Sequence, residues 1–212
     1  MEKINKFVLT IVFLHVSTPL IYGNDQTYVI GVGFGGADYQ ATAESESGEK
    51  VDLFNLKPSF GSNVHFEWYL FDSIGVGLRS VDLQTPEYST YGSGEKKSSY
   101  VPLSVNASLV TFNWIFYGEN DYSRFGLTLG IGSSSIKKSS FDGTGCENKG
   151  SASLGGLFFD WGADGFGARL GVDGVTNNLD EYKCYNNNKK NISGAGSSSY
   201  LGLRWAFNKN RI

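Results

Sequence analysis

The chain has 212 residues with a formal net charge of -3, and 28 of its residues are glycine while only 4 are proline. No basic patch with interleaved aromatic residues stands out, which argues against a nucleic-acid partner. Glycine at this level disfavours helices, because a glycine in a helix interior costs about 1 kcal/mol relative to alanine. After the N-terminus no run reaches the roughly 18 apolar residues of a membrane helix. The composition favours one β domain.

The first 23 residues have the pattern of a secretory signal peptide. Lys3 and Lys6 form a basic start, and a short apolar stretch over 7–16 follows them. A looser segment ends at the small residue Gly23, where we place the cleavage site. An apolar helix retained in the mature fold is the alternative. We therefore predict an exported chain, with residues 1–23 as signal peptide and residues 24–212 as the mature domain.

Eight stretches of alternating apolar and polar residues follow the signal segment. A period of two residues is the pattern of a β-strand with two different faces. In the clearest run, 54–68, the even positions include Phe66 and Trp68, and the odd positions include Lys57, His65 and Glu67. At about 3.3 Å per residue this run extends on the order of 50 Å, whereas an average strand has about 5 or 6 residues. This length suits a strand that crosses a membrane.

The connections between the predicted strands are alternately short and long. Short turns are predicted at 70–73, 117–122 and 162–164, and long polar loops at 44–50, 84–98, 137–150 and 176–196. The alternation places all short turns at one end of the sheet and all long loops at the other. Short periplasmic turns and long outer loops are typical of outer-membrane β-barrels.

Two cysteines, Cys146 and Cys184, fall in the third and fourth long loops, and therefore at the same end. In an oxidising compartment an even pair of this kind predicts a disulfide, with two free thiols as the alternative. The chain-entropy model values the closure of this loop at on the order of 4 kcal/mol. The cysteine spacing fits no zinc pattern and the mature chain has one histidine, so we predict no metal or other cofactor.

The chain resembles the small outer-membrane β-barrel proteins of Gram-negative bacteria, of the OmpX, OmpA-barrel and OmpW kind. The resemblance rests on Phe66-Glu67-Trp68-Tyr69, on the Ile-Gly-Val-Gly-Leu run at 74–78, on Tyr-Val-Pro-Leu at 100–103 and on the closing segment 200–207. It implies an all-β fold: an eight-stranded antiparallel transmembrane β-barrel in the cell outer membrane, with short periplasmic turns and long outer loops.

The same resemblance implies two partners, which are outer-membrane lipid and the barrel-assembly machinery. The alternating final strand looks like the signal that this machinery reads, and its residues are Tyr200, Leu201, Leu203, Trp205 and Phe207. The family usually ends on the last aromatic residue, whereas here five more residues, 208–212, follow it.

Charged side chains lie on the strand faces opposite the apolar rows, and we expect them to point into the barrel: Lys57, His65, Glu67, Arg79, Arg124, Arg169, Asp173 and Arg204. The apolar rows are expected to face lipid; in the fourth stretch this row holds Val105, Ala107 and Leu109. The interior of an eight-stranded barrel is just wide enough for side chains to fill. Because an unpaired buried charge is costly, we predict a salt-bridged network, with a narrow polar path as the alternative.

Two classes of function are consistent with this pattern. In the first, four polar surface loops are displayed for adhesion, colonisation or another cell-surface interaction with a host-cell or matrix receptor, since loops carry function on a filled scaffold. The second is a conduit for small hydrophobic molecules, as OmpW-like relatives imply. We predict no enzyme, because acyl transfer needs a base beside a nucleophilic serine, and the one mature histidine, His65, is followed by Phe66 and Glu67 rather than by a serine. A secreted β-sandwich is the remaining alternative for the fold.

Overall fold

The structure of the chain is a computed structural model that describes residues 27–44, 50–71, 73–84, 103–119, 123–138, 146–162, 165–182 and 189–208. The predicted signal peptide lies outside these residues, so its assignment stays a prediction. The described residues form eight strands, β1 to β8, with the bounds Thr27–Glu44, Lys50–Phe71, Ile74–Gln84, Leu103–Glu119, Ser123–Lys138, Cys146–Trp161, Gly165–Tyr182 and Lys189–Asn208. None of these residues forms a helix long and apolar enough to cross a membrane.

Each strand pairs antiparallel with its neighbours along the chain, and β8 pairs with β1 to close the sheet. The closing ladder runs from Thr27 opposite Asn208 to Glu44 opposite Lys190. The predicted all-β, eight-stranded antiparallel barrel is therefore confirmed, and a two-sheet sandwich is excluded. Closure leaves no sheet edge, which matters in hydrocarbon because no water is present there to satisfy free backbone groups.

The connections β2–β3, β4–β5 and β6–β7 are short and lie at one end of the barrel, which we call the turn end. The turn after β6 contains Gly162 and the next strand begins with Gly165, whose φ angles are 71° and 81°. Glycine adopts such positive φ angles without the steric penalty of other residues. The other four connections lie at the opposite end, which we call the loop end.

The strands reach further toward the loop end than the sequence predicts. Most of the predicted loop 176–196 is strand, because β7 continues to Tyr182 and β8 begins at Lys189. In the same way β5 and β6 extend into the predicted loop 137–150. The predicted ranges of these two loops were too wide, because their serine, asparagine and glycine residues resemble loop sequence although cross-strand pairing holds them in the sheet.

The outer surface of the barrel has two zones. Nearer the turn end it carries exposed apolar side chains, which we call the apolar belt: Ile30, Val32, Phe34, Val76, Val110, Phe112, Leu129, Ile131, Leu170, Val172, Leu201, Leu203 and Trp205. Nearer the loop end the outward positions are mostly polar, and we call this zone the polar wall: Gln40, Ser80, Ser108, Ser133, Ser153, Thr176 and Ser199. A continuous exposed apolar band is stable against lipid rather than against water. The barrel therefore spans a membrane at the belt and continues beyond it.

The interior is reversed relative to this outer surface. Inside the polar wall lies an apolar core, formed by Tyr39, Ala41, Val81, Leu83, Val105, Ala107, Leu109, Ile136, Ala152, Leu154, Val175 and Leu179. In β4 the apolar residues change from the inner to the outer face between two consecutive positions: Leu109 is 3% exposed and Val110 is 47% exposed. The ladder between β3 and β4 has no register shift, so the strand itself does not rotate at this point. What changes is the face on which the apolar residues lie.

The expectation that Val105, Ala107 and Leu109 face lipid is therefore wrong: all three point into the barrel. The physical reason is the solvent outside. At the belt the outside is hydrocarbon, whereas at the polar wall it is water, and the hydrophobic effect there turns apolar side chains inward as in a soluble protein.

Because of this reversal, we expect a threonine on the inner face of β4 and a threonine on its outer face to change the free energy of unfolding by different amounts. We expect Val105→Thr to lower the free energy of unfolding by about 1–3 kcal/mol, because its hydroxyl enters the apolar core without a partner. Ser108→Thr, on the polar wall, is expected to change it by less than about 0.5 kcal/mol. Urea unfolding of the barrel in lipid vesicles measures both values. Equal costs at the two positions would contradict the apolar core.

Candidate functional site

An ion network fills the interior at the level of the belt, and its centre is the Arg169 side chain, which is 0% exposed. Arg169 Nε donates to Asp160 Oδ1 at 2.6 Å and Nη2 donates to Asp160 Oδ2 at 2.9 Å. The same Nη2 lies 2.9 Å from Glu67 Oε2, and Nη1 bonds to Glu67 Oε1. The planar guanidinium thus holds two carboxylates, a geometry for which arginine is better suited than lysine.

Two further side chains complete this network. Arg204 Nη1 lies 3.2 Å from Asp160 Oδ2, so this carboxylate is shared between two arginines. On the other side, the Tyr69 hydroxyl donates to Glu67 Oε2 at 3.1 Å. The ring of Phe158 lies under Arg169, with 4.1 Å from the Arg169 Cζ to the ring centroid. The network joins β2, β6, β7 and β8 across the barrel.

A second ion pair lies next to this network toward the loop end. Arg79 Nη2 is 2.6 Å from Asp173 Oδ2 and donates to the Tyr200 hydroxyl at 2.5 Å. Among the described residues, the fully buried charges are thus three arginines and three carboxylates: Arg79, Arg169, Arg204, Glu67, Asp160 and Asp173. An equal number of opposite charges limits the desolvation cost, because each buried charge has a partner of the other sign.

Three other residues of the predicted interior set take no part in these ion pairs as described. His65 is buried opposite Arg79 in the β2–β3 ladder, and its Nδ1 is 3.3 Å from Asn63 Oδ1. Arg124 is half-buried near the turn end, where it is paired in register with Asp160. Lys57 belongs to β2, but its side chain lies outside the described part of the chain.

Asp160 and Tyr69 belong to the network although the predicted interior set contains neither of them. Asp160 stands in the run Phe-Phe-Asp-Trp, where apolar neighbours on both sides conceal the two-residue alternation. One signal could have found it. The predicted interior set holds five lysine and arginine residues against two carboxylates, an imbalance that a buried network does not tolerate.

Glycines on the inner face make room for the large interior side chains. A Cβ atom added at Gly171 would overlap the Tyr200 ring, and one added at Gly156 would overlap the Asp173 carboxylate. Glycine in a strand interior often marks a place where another group approaches the backbone closely. These glycines therefore permit the Arg79–Asp173–Tyr200 contacts to form inside a narrow barrel.

The apolar core forms a second filled layer between the ion network and the loop end. Its polar contact is the Tyr39 hydroxyl, which donates to Asn177 Oδ1 at 2.7 Å. Burial raises the pKa of Tyr39 to about 12, so the hydroxyl stays protonated and remains a donor. The described part of the lumen is thus packed at two successive levels, one ionic and one apolar.

Only one of the two cysteines of the predicted disulfide belongs to the described part of the chain. Cys146 is the first residue of β6, whereas Cys184 lies outside the described residues, in the connection between β7 and β8. The described residues contain no disulfide, so the pairing of these two cysteines stays a prediction. The strand bounds place Cys146 at the loop end.

The closing strand β8 has two faces. Leu201, Leu203 and Trp205 point outward in the belt, while Tyr200 points inward. Near the turn end Phe207 stacks on Tyr28, with ring centroids 5.6 Å apart, at the seam where β8 meets β1. The role of Tyr200, Leu201, Leu203, Trp205 and Phe207 as an assembly signal stays a prediction.

No protein-family model and no curated protein matches the chain. Among solved structures it is similar to Neisserial surface protein A, with 9% identity, 85% of this chain and 97% of that chain covered, and a TM-score of 0.52. It is also similar to OprG from Pseudomonas aeruginosa (12% identity, 88% and 98% covered, TM-score 0.49) and to Ail, the attachment invasion locus protein of Yersinia pestis (16%, 88% and 100%, 0.46). The chain has the fold of the small outer-membrane β-barrels, and the belt agrees with a location in the outer membrane.

Proposed function

We propose that this outer-membrane barrel displays its loop end for adhesion or another contact with host cells or matrix. The observation that carries the proposal is the polar wall, which continues the barrel beyond the belt. In β8 the twelve residues from Lys189 to Tyr200 precede the outermost belt residue, Leu201. At about 3.3 Å per residue and a tilt of about 40°, they raise the loop end on the order of 30 Å above the lipid.

The length of the strands supports display, because crossing the membrane does not require it. A transmembrane β-strand needs about 9–11 residues, and β8 has 20. The extra length has its own apolar core, and its strands stay paired with their neighbours apart from local register shifts in β1 between Ala37 and Glu44, so it holds the connecting segments on a rigid support. Binding residues are often found on loops that a rigid scaffold positions.

The second function, an OmpW-like conduit for small hydrophobic molecules, receives less support from these observations. A conduit needs an open path along the lumen or through the wall. In the described residues the lumen is filled by the ion network and the apolar core, and β1 to β8 form a closed ladder. Movement of these layers would have to precede any transport.

The proposed partners follow from the outer surface. The belt is the contact with outer-membrane lipid, and we propose that the barrel-assembly machinery reads the outward row of β8. A host-cell or matrix receptor would bind at the loop end. The proposal contains no catalytic step, since His65 is buried beside Asn63 inside the barrel.

Adhesion of a non-adherent Gram-negative strain that expresses the chain tests the display function. Four variants each replace one loop-end segment (45–49, 85–102, 139–145 or 183–188) with a four-residue Gly-Ser turn. We expect at least one of them to lose most of the adhesion that the unmodified chain confers. The matched control replaces the turn-end segment 120–122 with Gly-Ser-Gly and should adhere fully.

Conductance and uptake measurements provide the opposing test. We expect no conductance in planar bilayers and no protein-dependent uptake of a hydrophobic fluorescent probe. Uptake that depends on the protein, together with equal adhesion of all loop variants, would replace display with the conduit function.

A further inference from the structure

A groove of about 500 Å³ lies on the lipid-facing side of the wall formed by β3, β4, β5 and β6. Its sides are the belt residues Val76, Val110, Phe112, Leu129 and Ile131. Its floor is a row of three residues paired directly across the ladders, Thr111, Gly130 and Leu154. The groove is thus almost wholly apolar and is floored by the wall of the barrel itself.

The position of this groove along the barrel is at the outer boundary of the belt. Val110 and Ile131 are the last outward apolar residues on β4 and β5, and the next outward positions are Ser108 and Ser133. Outer-membrane barrels carry their long loops outside the cell and their short turns in the periplasm. In that orientation, which the proposed display function shares, the groove lies in the outer leaflet, directly below the level of the lipid headgroups.

Next to the groove, the outward glycines Gly155 and Gly174 leave the strand backbone uncovered by side chains, and we call this surface the ledge. Gly155 is the ladder partner of Leu129, it points outward, and a Cβ atom built on it would meet no atom within 4 Å. Its own partner on β7 is Gly174, which also points outward. Glycine weakens a strand interior and marks sites where a ligand or another group can approach the backbone closely. No internal contact explains Gly155, because the space beyond its Cα is open.

We propose that the groove and the ledge hold one acyl chain of an outer-leaflet lipid, which stays bound when the surrounding lipids exchange. The groove is continuous with the belt, so an acyl chain is the group that meets it in the membrane. A chain lying in the groove is contacted from the floor and both sides, and these dispersion contacts are individually small but add over its length. A flat part of the belt contacts a chain from one side only.

Native mass spectrometry of the barrel, extracted from membranes in mild detergent, tests this proposal. We expect the unmodified chain to carry one lipid-mass adduct. Leu129→Trp, which fills the groove, and Gly155→Leu, which covers the ledge, should each lose this adduct. Both substitutions are on the outer surface, and the faster migration of the unheated barrel in gels verifies that each variant is folded.

Two matched controls lie on the far side of the barrel. Leu201→Trp makes the same change elsewhere in the belt, and Gly36→Leu makes the same change at another outward glycine whose Cβ would meet no atom within 4 Å. Both should keep the adduct. The proposal is overturned if the unmodified chain carries no lipid, if all four variants retain or lose it alike, or if a second copy of the barrel takes its place. None of these readouts depends on adhesion, so this inference and the display function can fail separately.

Discussion

Replacing Arg169 with methionine is expected to lower the free energy of unfolding of the barrel by about 3–5 kcal/mol. Arg169 holds the carboxylates of Glu67 and Asp160 together in the interior. Methionine has a similar volume but no charge, so the loss of packing is small and two buried carboxylates remain close to each other. Urea unfolding of the barrel in lipid vesicles, followed by tryptophan fluorescence, measures the change.

The control is an ion pair at the surface of the same protein. Lys137 Nζ lies 3.7 Å from Glu147 Oε1 on the polar wall, and the Lys137 side chain is 57% exposed. Water and salt screen such a pair, so Lys137→Met should cost less than about 1 kcal/mol. A similar cost at both positions would mean that the interior network contributes no more than a surface pair.

A double variant separates the charge from the packing. If the cost of Arg169→Met comes from unpaired carboxylates, then adding Glu67→Gln should restore part of the lost stability, because it removes one of them. If the second substitution lowers stability further, the cost lies in lost packing and hydrogen bonds instead.

The second large effect concerns the belt. Leu203→Arg is expected to lower the free energy of unfolding by about 2–4 kcal/mol, as for arginine on the lipid face of a barrel near the bilayer midplane. Leu203 points outward in β8 and is 54% exposed, so the substitution disturbs no interior contact. The cost comes from placing a charge in hydrocarbon. Unfolding from vesicles measures it.

Ala195→Arg is the matched control, because it lies on the same strand and the same face but on the polar wall. There the guanidinium meets water, and the change should stay within about 0.5 kcal/mol. Comparable losses at Leu203 and Ala195 would show that the lipid boundary does not lie between them, and the proposed height of the display support would then be wrong.

Much of the architecture was predictable from local pattern. The alternation of residues such as Phe66 and Glu67 predicts strands with two faces, and the short turns predict antiparallel neighbours. The location of His65, Glu67, Arg79, Arg169, Asp173 and Arg204 inside the barrel follows the same alternation. Each of these features depends only on residues close together in the chain or on the pairing of two consecutive strands, and it can therefore be predicted from the sequence.

The partners within the network were not predictable in this way. Glu67 and Arg169 are 102 residues apart and lie on β2 and β7, which are not neighbours in the sheet. Only the closed barrel turns both side chains to the same point of the lumen. The role of Asp160 depends on the same closure, because its two arginines come from β7 and β8.

The tertiary structure decided that β8 pairs with β1, which makes the sheet a closed barrel rather than a sandwich. The sequence by itself determined that this protein consists of antiparallel strands with two different faces, because the period of two residues and the turn spacing are local properties of the chain. It did not determine which face of each strand points inward at each level. In β4 the apolar residues change from the inner face at Leu109 to the outer face at Val110. That assignment depends on whether lipid or water lies outside the wall, and only the tertiary structure places the boundary between them.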